Sequence, residues 1–295
     1  MKTLEFEAIG THWYIEFYDE IDPNDFESLQ QKIKEYCSEF EHKYSRFKDT
    51  SILSKLNKEK ILHNPSHEFL ELLNLGKDAK VITDGHFDIT VGTILENMGY
   101  DKDYSFKEKD KKVEKELKFT KDKVELSENT KIDLGGIGKG YLIDLVSDLI
   151  KGEGIKYFFI NAGGDIYATS NFDEPIEFAL ENPFAIDEMI GTIEIKNKGL
   201  ASSSGNRRKW KDPKTGKVHH HLVDMKDNSN INTIAGIYIE GPSATNADIA
   251  STCLFVSPKE LYENISKFYG IEYLVVYSDQ SYKKSEKYNG KLLLS

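Results

Sequence analysis

Four of the six residues from Gly135 to Gly140 are glycine, set in Asp133-Leu-Gly-Gly-Ile-Gly-Lys-Gly-Tyr141. Apolar residues precede the run as a short strand ending at Leu134, and a helical pattern follows from Gly140 to Ile150. The chain must therefore turn sharply between strand and helix, through residues without side chains. Unhindered amides, a helix N-terminus and Lys139 together suit a phosphate. The run is not a Walker loop, because no glycine stands five residues before Gly138-Lys139 and Gly140 replaces the Ser or Thr. Tyr141 occupies the third glycine position of a GxGxxG fingerprint, which excludes that motif as well. A plain tight turn with a solvated Lys139 is the simpler alternative.

The rest of the chain reads as hairpins mixed with helices. Leu4 to Ile9 and Trp13 to Tyr18 alternate around Gly10 as a strand pair. A helix runs through His42 behind an Asn24–Glu27 capping box, and a second spans His67 to Ile82 before Asp84-Gly85. Leu117, Phe119, Val124 and Leu126 alternate within a Lys- and Glu-rich tract, which reads as a solvated hairpin rather than a linker. A strand over Tyr157 to Ile160 meets the turn Asn161-Ala-Gly-Gly-Asp165, with a further strand after it. More strands follow at Glu177 to Leu180, Met189 to Ile195, Ile234 to Ile239 and Tyr273 to Tyr277, with helices at Thr245 to Val256 and Pro258 to Tyr269. This mixture points to an α+β fold of largely antiparallel sheets with flanking helices, not a doubly wound parallel sheet. No internal boundary appears, so residues 1–295 read as one large domain.

The formal net charge of −11 repels polyanions and argues against a nucleic-acid surface, so an anionic ligand has to be met locally. Cys37 and Cys253 lie far apart in helical patterns and read as buried thiols. No stretch reaches the ~18 apolar residues of a membrane span. Met1 to Gly10 lacks the basic-then-apolar pattern of a signal peptide. The chain as given reads as cytoplasmic, and a leader or lipid-anchored cysteine upstream of Met1 would instead make it exported.

Three further constellations carry potential chemistry. In Thr245-Asn-Ala-Asp248-Ile-Ala-Ser-Thr252, Asp248 and Thr252 share one helix face, a carboxylate and hydroxyl suited to a hard cation such as Mg²⁺. A capping box of Thr245 and Asp248 would explain the aspartate equally well. Ser202-Ser-Ser-Gly205-Asn-Arg207-Arg208 is followed by His219-His-His221-Leu-Val-Asp224. Three consecutive histidines cannot all face one ion from a strand, whereas a single one near a phosphate ester could act as general base. Asp84-Gly-His-Phe87-Asp88-Ile-Thr90-Val-Gly92 offers an aromatic beside hydrogen-bonding groups, suited to a flat heterocycle or simply to a loop with a buried Phe.

Taken in order, these segments resemble the ApbE flavin transferases, a T-fold-related family, over almost the whole chain. Ile9-Gly10-Thr11 is similar to that family's opening Met-Gly-Thr, and Tyr44-Ser-Arg-Phe47 to Ser51 to its Tyr-containing segment before a short helix. Gly85 to Gly92, Asp133 to Tyr141, the Gly163-Gly164 turn, Ser204-Gly205 with Arg208, His221 to Asp224 and Ala247 to Thr252 match its remaining motifs. The resemblance implies Mg²⁺ held by Asp248, Thr252 and the Gly136 carbonyl, and FAD held by Ile9, Phe47, Phe87, Asp88, Asp133, Lys139 and Val223. His221 is then the candidate base, and Asp248 the residue without which catalysis stops. It further implies transfer of FMN from FAD to a Thr or Ser of an acceptor carrying an Asp-x-(Ser/Thr)-Gly-Ala-Thr-like segment. Hydrolysis of FAD to FMN and AMP, and flavin binding without catalysis, are the two rival readings. Ile9 replaces the family's usual methionine, Phe47 a tyrosine, Met225 a proline, and Asp227-Asn228 a Thr-Gly pair.

Overall fold

The structure, a computed structural model, describes residues 1–170, 174–206 and 208–293, apart from the Ile186 side chain. Its first half holds β1 (Lys2–Ala8), β2 (Thr11–Phe17), α1 (Pro23–Tyr44), α2 (Ile52–Glu59), β3 (Ile61–His63), α3 (His67–Ile82) and α4 (Gly92–Asn97). Next come β4 (Leu117–Phe119), β5 (Lys123–Leu126), α5 (Gly138–Gly152), β6 (Phe158–Ala162) and β7 (Asp165–Thr169). β8 (Ile176–Asn182), β9 (Ala185–Ile195), β10 (Lys198–Ser204), β11 (Lys209–Lys211), β12 (Val218–His220), β13 (Val223–Asp224) and β14 (Ser229–Asn230) follow. The chain closes with β15 (Ile234–Gly241), α6 (Ala244–Val256), α7 (Tyr262–Tyr269), β16 (Glu272–Tyr277), β17 (Tyr282–Lys284) and β18 (Lys291–Leu292).

An eight-stranded sheet in the order β1-β2-β6-β7-β10-β15-β16-β17 forms the centre, and every pairing within it is antiparallel. The expected α+β architecture is thus the one observed. β15 and β16 explain how the layers stack. Ile237, Ile239, Tyr273 and Val275 face the main core, which also takes in α1, α5 and α6. The residues between them, Tyr238, Leu274 and Val276, face a second core with Leu180, Ile190 and Ile193 of β8 and β9. Period-2 alternation places successive side chains on opposite faces, so two covered faces produce a strand apolar at nearly every position. Cys37 and Cys253 are both buried free thiols, and among the described residues no helix is long and apolar enough to cross a membrane.

Local capping departs from expectation in two places. α1 is capped by Asp22, which accepts from the Asn24 amide at 2.8 Å. Pro23 takes the first helical position, where its missing N–H costs nothing, and this replaces the Asn24–Glu27 box. At α6 the cap is Ser243, which accepts from the Asn246 amide at 3.1 Å. Asp144 of α5 adds acceptors for the Ala244 and Thr245 amides, at 2.9 and 2.8 Å. Thr245 and Asp248 therefore form no capping box, which leaves Asp248 available for another purpose.

The strand expected before the glycine run does not form. The side-chain amide of Asn57 clamps Ile132 from both sides, at 2.7 and 2.8 Å, and Asp133 N donates to Ile89 O, so the segment is extended but makes only an isolated parallel bridge, Lys131 to Val91. The expected helix from Pro258 begins as a 3₁₀ turn at Lys259–Leu261 before α7. α4 and β10 arise where the sequence signalled no element.

Candidate functional site

A cleft of about 770 Å³ opens between α5, α6, the β6–β7 turn and the loops around Phe87 and His221. Of the residues singled out above, Phe47, Phe87, Asp88, Asp133, Gly136, Lys139, His221, Val223, Asp248 and Thr252 all line it. Ile9 does not. It sits at φ 48° and packs its side chain against the main core, while its neighbours Gly10 and Thr11 reach the cleft.

The floor is built where α5 crosses α6. A Cβ on Gly140 would lie 2.6 Å from Asp248 Cβ and closer still to the Ala244 carbonyl, so only glycine permits this approach. The Gly140 amide donates to Asp248 at 2.8 Å, fixing the carboxylate beneath the glycine bend. One helical turn on, the Thr252 hydroxyl lies 3.4 Å from where a Gly136 Cβ would stand, and Phe87 closes the other side of that glycine. The helix face and the upstream bend thus converge, as their chemistry required.

The bend is less open to an anion than its glycines suggest. Gly135 N donates to Asp133 at 2.7 Å, Ile137 N and Gly138 N both donate to Leu134 O, and Gly140 N serves Asp248. Positive charge in the cleft comes from side chains instead. Lys139 turns inward onto Asp165, and exposed Arg208 lines the rim. Arg207 lies outside the described residues.

Electrostatics mark Asp248. Burial first, and then the neighbouring Asp165 carboxylate, push its carboxyl well above the ordinary range, while Lys139 pulls the other way. Two carboxylates with only one ammonium between them leave negative charge uncompensated, and oxygen donors in that state suit a hard dication. The three histidines part company. His219 contacts Glu108 at 2.8 Å, and His220 contacts the Ile231 carbonyl at 3.1 Å. His221 alone lines the cleft. Burial, then Arg208 and His220, push its imidazole down to about 3, so the ring is neutral, and its Nδ1 has no hydrogen-bond partner among the described residues. Asp224 does not orient it; both Asp224 oxygens instead contact His86 Nδ1 at 2.9 Å.

Behind the lining stand residues to which the sequence assigned no role, Arg46, Tyr104 and Lys80. Arg46 pairs with Asp133, donates to the Tyr100 carbonyl at 3.0 Å, and lies 4.2 Å over the Phe47 ring. Tyr104 stacks on Phe47 with centroids 5.4 Å apart. Asp88 is held by Lys80 at 2.7 Å and by the Thr90 amide at 2.9 Å. Arg46 lies inside a quoted motif, yet nothing in the sequence couples it to a residue 87 positions away.

This order of motifs, closed into one cleft, has counterparts. A match to the ApbE family spans residues 9–275. The chain belongs to the ApbE family. Among curated relatives it is 24% identical to the FAD:protein FMN transferase of Haemophilus influenzae, over 95% of this chain and 88% of that one. It is likewise 24% identical to that of Vibrio cholerae, over 98% and 91%. The fold agrees with the ApbE protein of Thermotoga maritima at a TM-score of 0.83, 24% identity and 97% coverage of both chains. The flavin transferase ApbE of Vibrio cholerae gives 0.78, 20% identity and 96% of both.

Proposed function

We propose that this ApbE-family chain transfers the FMN part of FAD to a Thr or Ser hydroxyl of an acceptor protein and releases AMP. The observation that carries this reading is the convergence of Asp248, Thr252, Gly136 and Lys139 on one cleft floor. Support comes also from the relatives of matching length, which bear the name FAD:protein FMN transferase.

The donor set fits Mg²⁺, since Asp248, Thr252 and the backbone at Gly136 offer only oxygen around uncompensated negative charge. When bound, such an ion would draw charge from a pyrophosphate and orient it. The chain's own residues do the rest. Lys139 and Arg208 offset phosphate charge, and Phe47 and Phe87 add aromatic lining suited to a flat heterocycle. His221, uncharged and lining the cleft, takes the proton of the acceptor hydroxyl. The acceptor oxygen then bonds to the phosphorus on the FMN side in line, and the bond to the AMP phosphate breaks, with its electron pair leaving on AMP. The free imidazole is a weak base, and an incoming pyrophosphate dianion raises its proton affinity.

Incubation with FAD, Mg²⁺ and a protein bearing an Asp-x-(Ser/Thr)-Gly-Ala-Thr segment tests this. In-gel flavin fluorescence of the acceptor with stoichiometric AMP is expected. Free FMN with an unlabelled acceptor would replace the reading by hydrolysis, and unchanged FAD would leave binding alone.

A further inference from the structure

Lys139 stands in the first turn of α5, where the positive end of the helix dipole disfavours a cation. Its flexible stem would by default carry the ammonium out to water. It turns inward instead and pairs with Oδ2 of Asp165, a side chain only 1% exposed. Oδ1 of the same carboxylate accepts from the Ser202 amide of β10 at 3.2 Å. The backbone fixes Asp165 as firmly. Ala162 and Asp165 are cross-strand partners, and the two residues between them, Gly163 and Gly164, both have positive φ, 63° and 98°, the signature of a type I′ turn. That turn leaves Asp165 one place only, as the first residue of β7.

An ion pair so withdrawn from water contributes little net stability, because desolvation offsets attraction. This one also sets Asp165 against the Asp248 carboxylate, an unfavourable neighbour. Packing therefore gives no reason for the arrangement, but the position of the ammonium does. We propose that Asp165 is a positioning residue that holds the Lys139 ammonium on the cleft floor between α5 and β7. Its purpose rests on the proposed function, since an ammonium fixed there meets a bound pyrophosphate, but the geometry stands independently of that reading.

Asp165→Asn keeps the size and an acceptor for Ser202 while removing the charge. Trace acetylation of the purified protein, with modified lysines located by mass spectrometry, reads the position of Lys139 directly against exposed Lys267. Labelling of Lys139 is expected to rise about tenfold in Asp165→Asn, as befits loss of a charge-assisted hydrogen bond. In Asp165→Glu, which keeps the charge and serves should the asparagine variant fail to fold, labelling stays slow. FAD binding followed by flavin fluorescence supplies the second readout, in Asp165→Asn, Lys139→Met and the double variant. If Asp165 acts through Lys139, the double variant binds no more weakly than Lys139→Met. Unchanged labelling in Asp165→Asn, rapid labelling in Asp165→Glu, or losses that multiply in the double variant would overturn the inference. Failure of the unmodified protein to bind FAD would overturn the flavin reading instead, while the labelling result still decides the role of Asp165.

Discussion

The Gly140 amide and the Asp248 carboxylate, 108 positions apart, are joined by a hydrogen bond of 2.8 Å. That bond locks the glycine bend to the helix bearing Asp248 and Thr252. Gly140→Ala would push a methyl group into the Ala244 carbonyl and Asp248 Cβ, both on the α6 backbone or its first carbon. Overpacking of this kind costs about 1–3 kcal/mol. Urea unfolding should show that loss, together with weaker cation binding; wild-type values for both would mean that the helices tolerate separation.

Asp248→Asn retains an oxygen for the Gly140 amide while losing the charge. Transfer of FMN is expected to fall by at least about a hundredfold, matching several kcal/mol of lost charge stabilisation. The melting temperature should stay the same or rise, since the repulsion from Asp165 is relieved. Full activity in this variant would rule out a role for its charge.

His221→Gln should slow transfer about 10²- to 10⁴-fold, the usual contribution of a positioned base. FAD affinity is expected to remain within a few-fold, because the ring is uncharged before the substrate arrives. Equal losses in binding and turnover would make His221 a binding residue only.

Arg46 and Asp133 form a largely buried pair on the cleft wall, at 6% and 14% exposure. Arg46→Met strands the aspartate and should cost about 3–5 kcal/mol in chemical denaturation. A double variant with Asp133→Asn is expected to recover part of that loss.

Glu96 of α4 gives a pH signature. Burial raises its carboxyl pKa, but Lys131 and Lys111 more than offset that and hold it below the usual range. A folded pKa below the unfolded value, near about 4.3, stabilises above that pH and ceases to do so as pH falls through the folded value. Glu96→Gln should therefore lose more stability at pH 7 than at pH 3, by urea titration at both. Equal losses would point to packing rather than charge.

Much of this was legible in advance because it rests on local pattern. α3 falls on its expected residues, the hairpin of β4 and β5 lies within the charged tract, and the alternating β1–β2 pair opens the sheet. Elements shaped by distant partners were not. The segment before Asp133 is held by a side chain of α2, and β10, small and polar at Ser202 to Ser204, becomes a strand only because β7 and β15 flank it. At the site, residue types and their order pointed to Asp248, Thr252 and the glycine bend, since helical spacing and glycine content are local. The pairings Arg46–Asp133, Lys139–Asp165 and His86–Asp224 join residues far apart in sequence, where no periodicity reports.

The alternation of β15 and β16 between two apolar layers has a consequence for how the molecule comes apart. Neither layer can open without stripping side chains from the strands on which the other rests, so β15 and β16 should belong to the last cooperative unit to unfold. Their amide protons, from Ile237 to Ile239 and from Leu274 to Val276, are expected to exchange with solvent most slowly, through global rather than local opening.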